Sequence, residues 1–347
     1  MRWKSRWILA ITVLLFFLLL FIQSNSEISV HEKECEAPRA NQMLHREIHN
    51  RPVKELVLLT PRSSPSASLL VFVITSVWNI GERQQIRQLW ASPRESEAIS
   101  KGEAHVVFVI GSNISHNKAV IDESRKYGDI LQANVSESYR NLVYKEEIAY
   151  RWATTSSNAV SMLKVDGDTV AHIDRFIREM KEIDISGDYI GCFHSFHGHP
   201  IRDQCSPWYV SREDYPHSLY PAYCGGPGYT MRMATLRRIL EGAARMNIIE
   251  VEDAFFTGIS AFAAYVPVIC LDHIFSGRYM RYSECSEGLP HLSIVPTHFQ
   301  FGLSSQASHS LERAWTELKD PWCFNAINRW WIGRGMLLHC SLTESVV

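Results

Sequence analysis

The chain has 347 residues, 46% of them apolar and 21% charged, with a formal net charge of −2. That is enough apolar material for a packed core in one large or two ordinary domains. The near-balance of charge speaks against a nucleic-acid binder, whose phosphate contacts call for a basic excess.

Residues 7–22 are apolar except for Thr12, and Arg2, Lys4 and Arg6 precede them. As a helix the run reaches about 24 Å at about 1.5 Å per residue, which suits the thin membranes of the early secretory pathway. The basic flank predicts a cytoplasmic tail over 1–6, a transmembrane signal anchor over 7–22 and a lumenal remainder. A cleaved signal peptide is the alternative, with Ser24-Asn25-Ser26 offering small residues near a cut. Asn113-Ile114-Ser115 and Asn134-Val135-Ser136 are N-glycosylation sequons that fit the lumen. All eight cysteines (35, 192, 205, 224, 270, 285, 323 and 340) follow the apolar run. Their even number suits disulfides in an oxidising compartment. None forms a C-x2-C pair, so no structural zinc site is expected.

Residues 23–66 are polar, carry Pro38, Pro52, Pro61 and Pro65, and end Ser-rich; they read as a stem. The folded domain is expected over 67–347. Apolar runs at 69–75, 106–110, 160–165 and 189–193 predict buried strands. Ile86, Leu89 and Trp90 follow the first at helical spacing. Tyr144, Ile148 and Trp152 predict a second helix, and Ile173, Phe176, Ile177 and Met180 a third. Leu236, Ile239, Leu240 and Ala243 predict a fourth, and Leu311, Ala314, Trp315 and Leu318 a late one. Strands apolar on both faces, alternating with amphipathic helices, predict an α/β fold with a mostly parallel sheet, whose ligands sit beyond the strands' carboxyl ends.

In Lys164-Val165-Asp166-Gly167-Asp168 an apolar strand runs directly into two carboxylates. Two hard oxygen ligands at a strand's end can hold Mg²⁺ or Mn²⁺, and the metal can bind a diphosphate; an ordinary Asp-Gly turn is the plainer reading. Glu252-Asp253, flanked by Val251 and Phe255-Phe256, predicts carboxyls in a desolvated setting where one could act as a general base; a helix start is the plainer reading. The glycine run Cys224-Gly225-Gly226-Pro227-Gly228-Tyr229, after Tyr220 and Tyr223, offers backbone that can pass close to a sugar. His298 is a candidate metal ligand, though a lone histidine is more often packed or hydrogen-bonded.

The order of these segments resembles the β1,3-galactosyltransferase and β1,3-N-acetylglucosaminyltransferase family (glycosyltransferase family 31), over roughly residues 68–323. RQQIRQLW at 83–90 is similar to its R-x-x-I-R-x-x-W. Asp129-Ile130-Leu131, then Glu137-Ser138-Tyr139-Arg140-Asn141-Leu142 and Lys145, are similar to D-I-L and D-S-Y-x-N-L-T-x-K, with Glu137 for the usual Asp. Residues 164–168 fall at K-x-D-D-D with Gly167 for the middle acid. Trp208-Tyr209-Val210-Ser211 and the Tyr220 to Tyr229 stretch match an acceptor-side block, Glu252-Asp253 falls at E-D-V, and His298 at a late V-x-x-H. Between Glu252 and Gly258 the chain is one residue longer than the family's E-D-V-x-x-G.

The resemblance implies a GT-A-type, Rossmann-like domain transferring galactose or N-acetylglucosamine from a UDP-sugar in β1,3 linkage to a glycan acceptor on glycoprotein or glycolipid. It implies Mn²⁺ (or Mg²⁺) on Asp166, Asp168 and His298, Asp253 as base with Glu252 beside it, and Arg83, Arg87 and Lys145 on the nucleotide side. Trp208, Tyr223, Gly226 and Gly228 would line the sugar pocket. It further implies a Golgi membrane location. A fringe-like transferase extending O-linked fucose, or an inactive lectin-like or chaperone member of the fold, are the alternatives.

Overall fold

The computed structural model describes residues 39–62, 67–183, 187–193, 195–276, 292–297 and 310–319. Residues 7–22, and with them the expected membrane anchor, lie outside this set, as do His298 and Cys35, Cys285, Cys323 and Cys340. Among the described residues no helix is long and apolar enough to cross a membrane.

Residues read as stem are already folded. Helix α1 (Gln42–Asn50), the short α2 (Val53–Leu56) and strand β1 (Val57–Leu59) belong to the domain, and β1 pairs antiparallel with β4 (Ile130–Ser136). The stem therefore cannot extend to residue 66. The signal missed was a set of apolar side chains spaced through a polar stretch, with Ile48 and Leu56 buried in the core and Leu44, Val53 and Val57 packed against it.

The six residues of β2 (Leu69–Ile74) are all buried, because helices cover both sheet faces. Leu70 and Phe72 enter one core layer while Leu69, Val71 and Val73 enter the other, as strand alternation requires. After β2 come α3 (Ile80–Gln88), α4 (Glu97–Ser100), β3 (Ala104–Ser112), α5 (Asn117–Tyr127), β4 and α6 (Leu142–Ser156). Then follow β5 (Ser161–Asp166), β6 (Thr169–Ala171), α7 (Ile173–Glu182), β7 (Ile190–Cys192), β8 (Ser195–Phe196), β9 (Tyr223–Cys224), β10 (Gly228–Arg232) and α8 (Met233–Ala243). A π-helix (Ala254–Ser260), α9 (Ala261–Ala263), β11 (Val268–Cys270), β12 (Ile294–Pro296) and α10 (Leu311–Lys319) complete the order. All four predicted strands and all five predicted helices are present; β4, which carries Gln132 and Asn134, and β10, which opens on glycine, had no continuous apolar run to announce them.

Eight described strands form one mixed sheet in the order β1-β4-β3-β2-β5-β10-β7-β11. The block β4-β3-β2-β5 is parallel, and β10 runs antiparallel to both β5 and β7. The chain lays β3 and β4 on one side of β2 and then returns to place β5 on the other. This reversal leaves a crevice beyond the carboxyl ends of β2 and β5, where Ile74 and Asp166 are register partners.

Candidate active site

A cleft of about 920 Å³ opens at that reversal, within the usual range for a small-ligand site. Thr75, Ser76, Trp78, Asn79 and Glu82 line it from the β2–α3 segment, and Glu137, Tyr139 and Lys145 from the β4–α6 segment. Asp166, Gly167 and Asp168 line it from the end of β5, Trp208, Tyr220, Tyr223 and Gly226 from the long insertion before β10, and Glu252 and Asp253 from the start of the π-helix. The two acidic pairs, 86 residues apart in the chain by 252 minus 166, therefore face one space.

Their plainer readings hold at the same time. Asp166 ends β5, and Gly167 and Asp168 make the turn into β6. Asp253 caps the π-helix by accepting from the Ala254 N–H at 2.6 Å. A cap and a turn are what place these carboxyls reproducibly at the ends of elements.

Lys164 organises the floor. It sits fully buried in the middle of β5, and its Nζ donates to Asp166 Oδ1 at 2.7 Å and to the Gly226 carbonyl at 2.6 Å, with Glu146 Oε1 at 3.5 Å. Glu146 Oε2 in turn accepts from the Tyr150 hydroxyl at 2.7 Å and the Tyr229 hydroxyl at 3.2 Å. Burial works to neutralise Lys164, but Asp166 and Glu146 outweigh it and hold its pKa well above the ordinary lysine value. One buried cation thus ties the acidic pair, the glycine run and α6 together.

Burial pushes the Asp166 carboxyl up to about 6; Lys164 opposes the shift and Asp168 adds to it. Burial pushes Asp253 up to about 6 as well, against the Ala254 N–H and Lys164. Glu252 is driven well above the usual carboxylate range by burial and by the Asp253 charge next to it. A carboxyl held near 6 is suited to accept a proton close to neutral pH, and Asp253 is the member of the pair so placed.

A Cβ placed on Gly226 would stand 3.6 Å from Asp166 Oδ2, 3.7 Å from Glu252 Oε1 and 3.9 Å from Asp253 Oδ2. Three carboxylate oxygens from two elements therefore converge on bare backbone, and any larger residue would fill the space between them. Hard oxygen donors of this kind suit Mg²⁺ or Mn²⁺. Among the described residues no three His, Cys, Asp or Glu side chains form a ready ligand set. Thr297, the residue before His298, donates its N–H (2.8 Å) and hydroxyl (2.7 Å) to the Asp168 carbonyl.

Several expected residues stand elsewhere. Arg83 and Arg87 do not line the cleft. Arg83 is fully buried, donating to both Glu123 oxygens (2.9 and 2.7 Å) and to the Ser76 carbonyl at 2.6 Å. Arg87 grips Asp129 through two bonds (2.7 and 2.8 Å) with its guanidinium 4.0 Å above the Tyr127 ring. Both guanidinia are engaged by internal carboxylates behind the cleft lining. Gly228 lies in β10 opposite Val165, packed against Ile294, and is also outside the lining. Lys145 does line the cleft, donating to the Thr75 carbonyl at 2.9 Å and to Glu137 Oε1 at 2.8 Å. Trp208 and Tyr139 are each 51% exposed at the rim and joined by an indole-to-hydroxyl hydrogen bond of 2.7 Å. Tyr223 packs on Tyr220 with ring centroids 5.7 Å apart, and burial beside Asp253 pushes its hydroxyl up to about 12. Asn134 is exposed on β4, and Asn113 is half-buried at a short 3₁₀ turn.

Residues 81–272 match the Galactosyltransferase family. The chain belongs to that family. This galactosyltransferase-family chain is 26% identical over 264 residues to lactosylceramide 1,3-N-acetyl-beta-D-glucosaminyltransferase of Rattus norvegicus, covering 73% of this chain and 66% of that one. It is 27% identical over 190 residues to beta-1,3-galactosyltransferase 5 of Homo sapiens, covering 54% and 60%. Against beta-1,3-galactosyltransferase 1 of Mus musculus it is 28% identical over 193 residues, covering 54% and 58%. The matched stretch thus spans less than two-thirds of the length of these relatives. A solved galactosyltransferase in complex with donor and acceptor sugar analogs superposes with a TM-score of 0.40 at 10% identity, covering 72% of this chain and 94% of that one, too distant a likeness to bear on the site.

Proposed function

We propose that the protein is an inverting, metal-dependent glycosyltransferase of GT-A type, moving galactose or N-acetylglucosamine from a UDP-sugar in β1,3 linkage onto a glycan acceptor of glycoprotein or glycolipid. The observation that carries this reading is the convergence of Asp166, Asp168, Glu252 and Asp253 on one cleft at the sheet's reversal. Membership in the galactosyltransferase family supports it. We place the protein in the Golgi membrane with its folded part in the lumen, on the strength of the apolar run at 7–22 behind a basic flank.

Asp166 and Asp168 would hold Mn²⁺ or Mg²⁺, with His298 as a third ligand. When bound, the cation offsets charge on the diphosphate leaving group. The chain's own residues do the rest. Lys164 keeps Asp166 oriented and ionised. Asp253 takes the proton of an acceptor hydroxyl as that oxygen bonds to the anomeric carbon; the bond from that carbon to the phosphate oxygen breaks on the opposite face, and its electron pair leaves with UDP. Trp208 and Tyr139 offer ring faces for the acceptor at the rim.

The test is a panel of UDP-galactose and UDP-N-acetylglucosamine against glycan acceptors, with and without Mn²⁺, on the wild-type protein and on Asp253→Asn. We expect metal-dependent transfer by the wild type. The variant should lose transfer by about 10³-fold or more while UDP·Mn²⁺ binding survives. Undiminished turnover by Asp253→Asn would remove the assigned base.

A further inference from the structure

Gly167 stands where the resembling sequences carry an acid, between the two site aspartates. A Cβ on Gly167 would overlap the Oε1 oxygen of Glu82, a residue in the first turn of α3 on the other side of the reversal. Glu82 is held over the turn by two donors: the Thr75 hydroxyl gives to Oε1 at 2.6 Å and the Asn79 amide to Oε2 at 3.3 Å. Thr75 is itself fixed, since its carbonyl accepts from Lys145. Glu82 lines the cleft beside Asp166 and Asp168.

We propose that Glu82 is a positioning residue of the metal–diphosphate site, its carboxylate occupying the space left by the missing side chain at Gly167 and adding a negative charge to the face that Asp166 and Asp168 present to a divalent cation. This rests on the metal-dependent reading above and deepens it. The charge lost from the loop at 167 is supplied from α3, so carboxylates from both sides of the reversal line the same cleft. A side chain at 167 would have to push the Glu82 carboxylate out of this position. Like charges crowded beside Asp168 repel in the absence of a cation, and a dication relieves that repulsion, so the extra carboxylate should strengthen cation binding.

The test is calorimetric titration of the full-length chain with Mn²⁺ in the presence of UDP, with thermal melts at zero and saturating Mn²⁺. Glu82→Gln keeps the shape and an acceptor for the Thr75 hydroxyl but removes the charge. We expect about a tenfold loss of Mn²⁺ affinity and a smaller Mn²⁺-dependent rise in Tm, with the metal-free Tm kept or raised. A purely structural Glu82 would instead lower Tm equally with and without Mn²⁺. Gly167→Asp alone should lower Tm and weaken Mn²⁺ binding, and adding Glu82→Ala to it should restore both. Wild-type Mn²⁺ affinity in Glu82→Gln, or a double variant no better than Gly167→Asp, overturns the proposal while leaving the metal-dependent reading intact. Failure of the unaltered protein to bind Mn²⁺ with UDP overturns both.

Discussion

At the scale of single residues, the site turns on one buried cation. Lys164 has no exposed surface, and its ammonium sits between Asp166 and Glu146 among apolar neighbours. Removing one member of such a cluster strands the others. Lys164→Met should therefore cost about 3–5 kcal/mol in urea unfolding, far more than an exposed lysine would. The two site carboxyls shifted up to about 6 give a pH signature. Asp253 must be ionised to accept a proton and Asp166 to hold a cation, so activity is present above about pH 6 and lost below it. A pH–rate profile should show an acidic limb near 6, with kcat/KM falling about tenfold or more per unit beneath it. A limb displaced to pH 4 would contradict the desolvated setting of both groups.

At the scale of elements, the π-helix explains a length mismatch. The segment from Glu252 to Gly258 is one residue longer than the family form it resembles, and Ala254–Ser260 winds as a π-helix. One inserted residue in a helix is absorbed as a wider turn, leaving the elements before and after it in register. Asp253 keeps its place at the helix start and α9 continues beyond. Thr257 ties this turn to the glycine run: its hydroxyl donates to the Asp253 carbonyl at 2.5 Å and accepts from the Cys224 N–H at 2.9 Å. Cys224 is also joined to Cys192 of β7 by a disulfide closing 32 residues. That loop contains Trp208, Tyr220 and Tyr223, so the bond limits how far the rim can stray. The Cys192→Ser/Cys224→Ser double variant should lose about 3 kcal/mol of stability and raise the acceptor KM more than the UDP-sugar KM. Equal changes in the two constants would mean the bond serves the fold alone.

At the scale of the molecule, the sheet's edge is completed by residues that composition assigns to a stem. Helix α1 docks through Gln42, whose amide donates to the Ile248 carbonyl at 2.8 Å, and through buried His45, whose ring bonds Glu147 of α6 at 2.8 Å. Strand β1 covers the open edge of β4. An uncovered edge and an unpartnered buried Glu147 both favour aggregation or unfolding. A chain started at residue 67 should be insoluble or melt far below one started at Pro38. Equal melting temperatures for the two would show that the N-terminal elements only decorate the domain.

The sequence by itself determined the α/β class, the central parallel strands and the helices that flank them, because these rest on hydrophobic periodicity, which is local. It also singled out Asp166, Asp168, Glu252 and Asp253, because carboxylates abutting apolar runs have to emerge at the ends of buried elements. It did not determine where long basic side chains turn. Arg83 and Arg87 look like nucleotide ligands until Glu123 and Asp129, some 40 residues further on, are folded against them. Nor did it disclose that Lys145, Glu146 and Glu147, three consecutive charged residues of one helix, are all buried. Their partners Glu137, Lys164 and His45 come from three separate segments. Whether a charge is satisfied inside the protein depends on neighbours distant in the chain, and only the tertiary structure decided that.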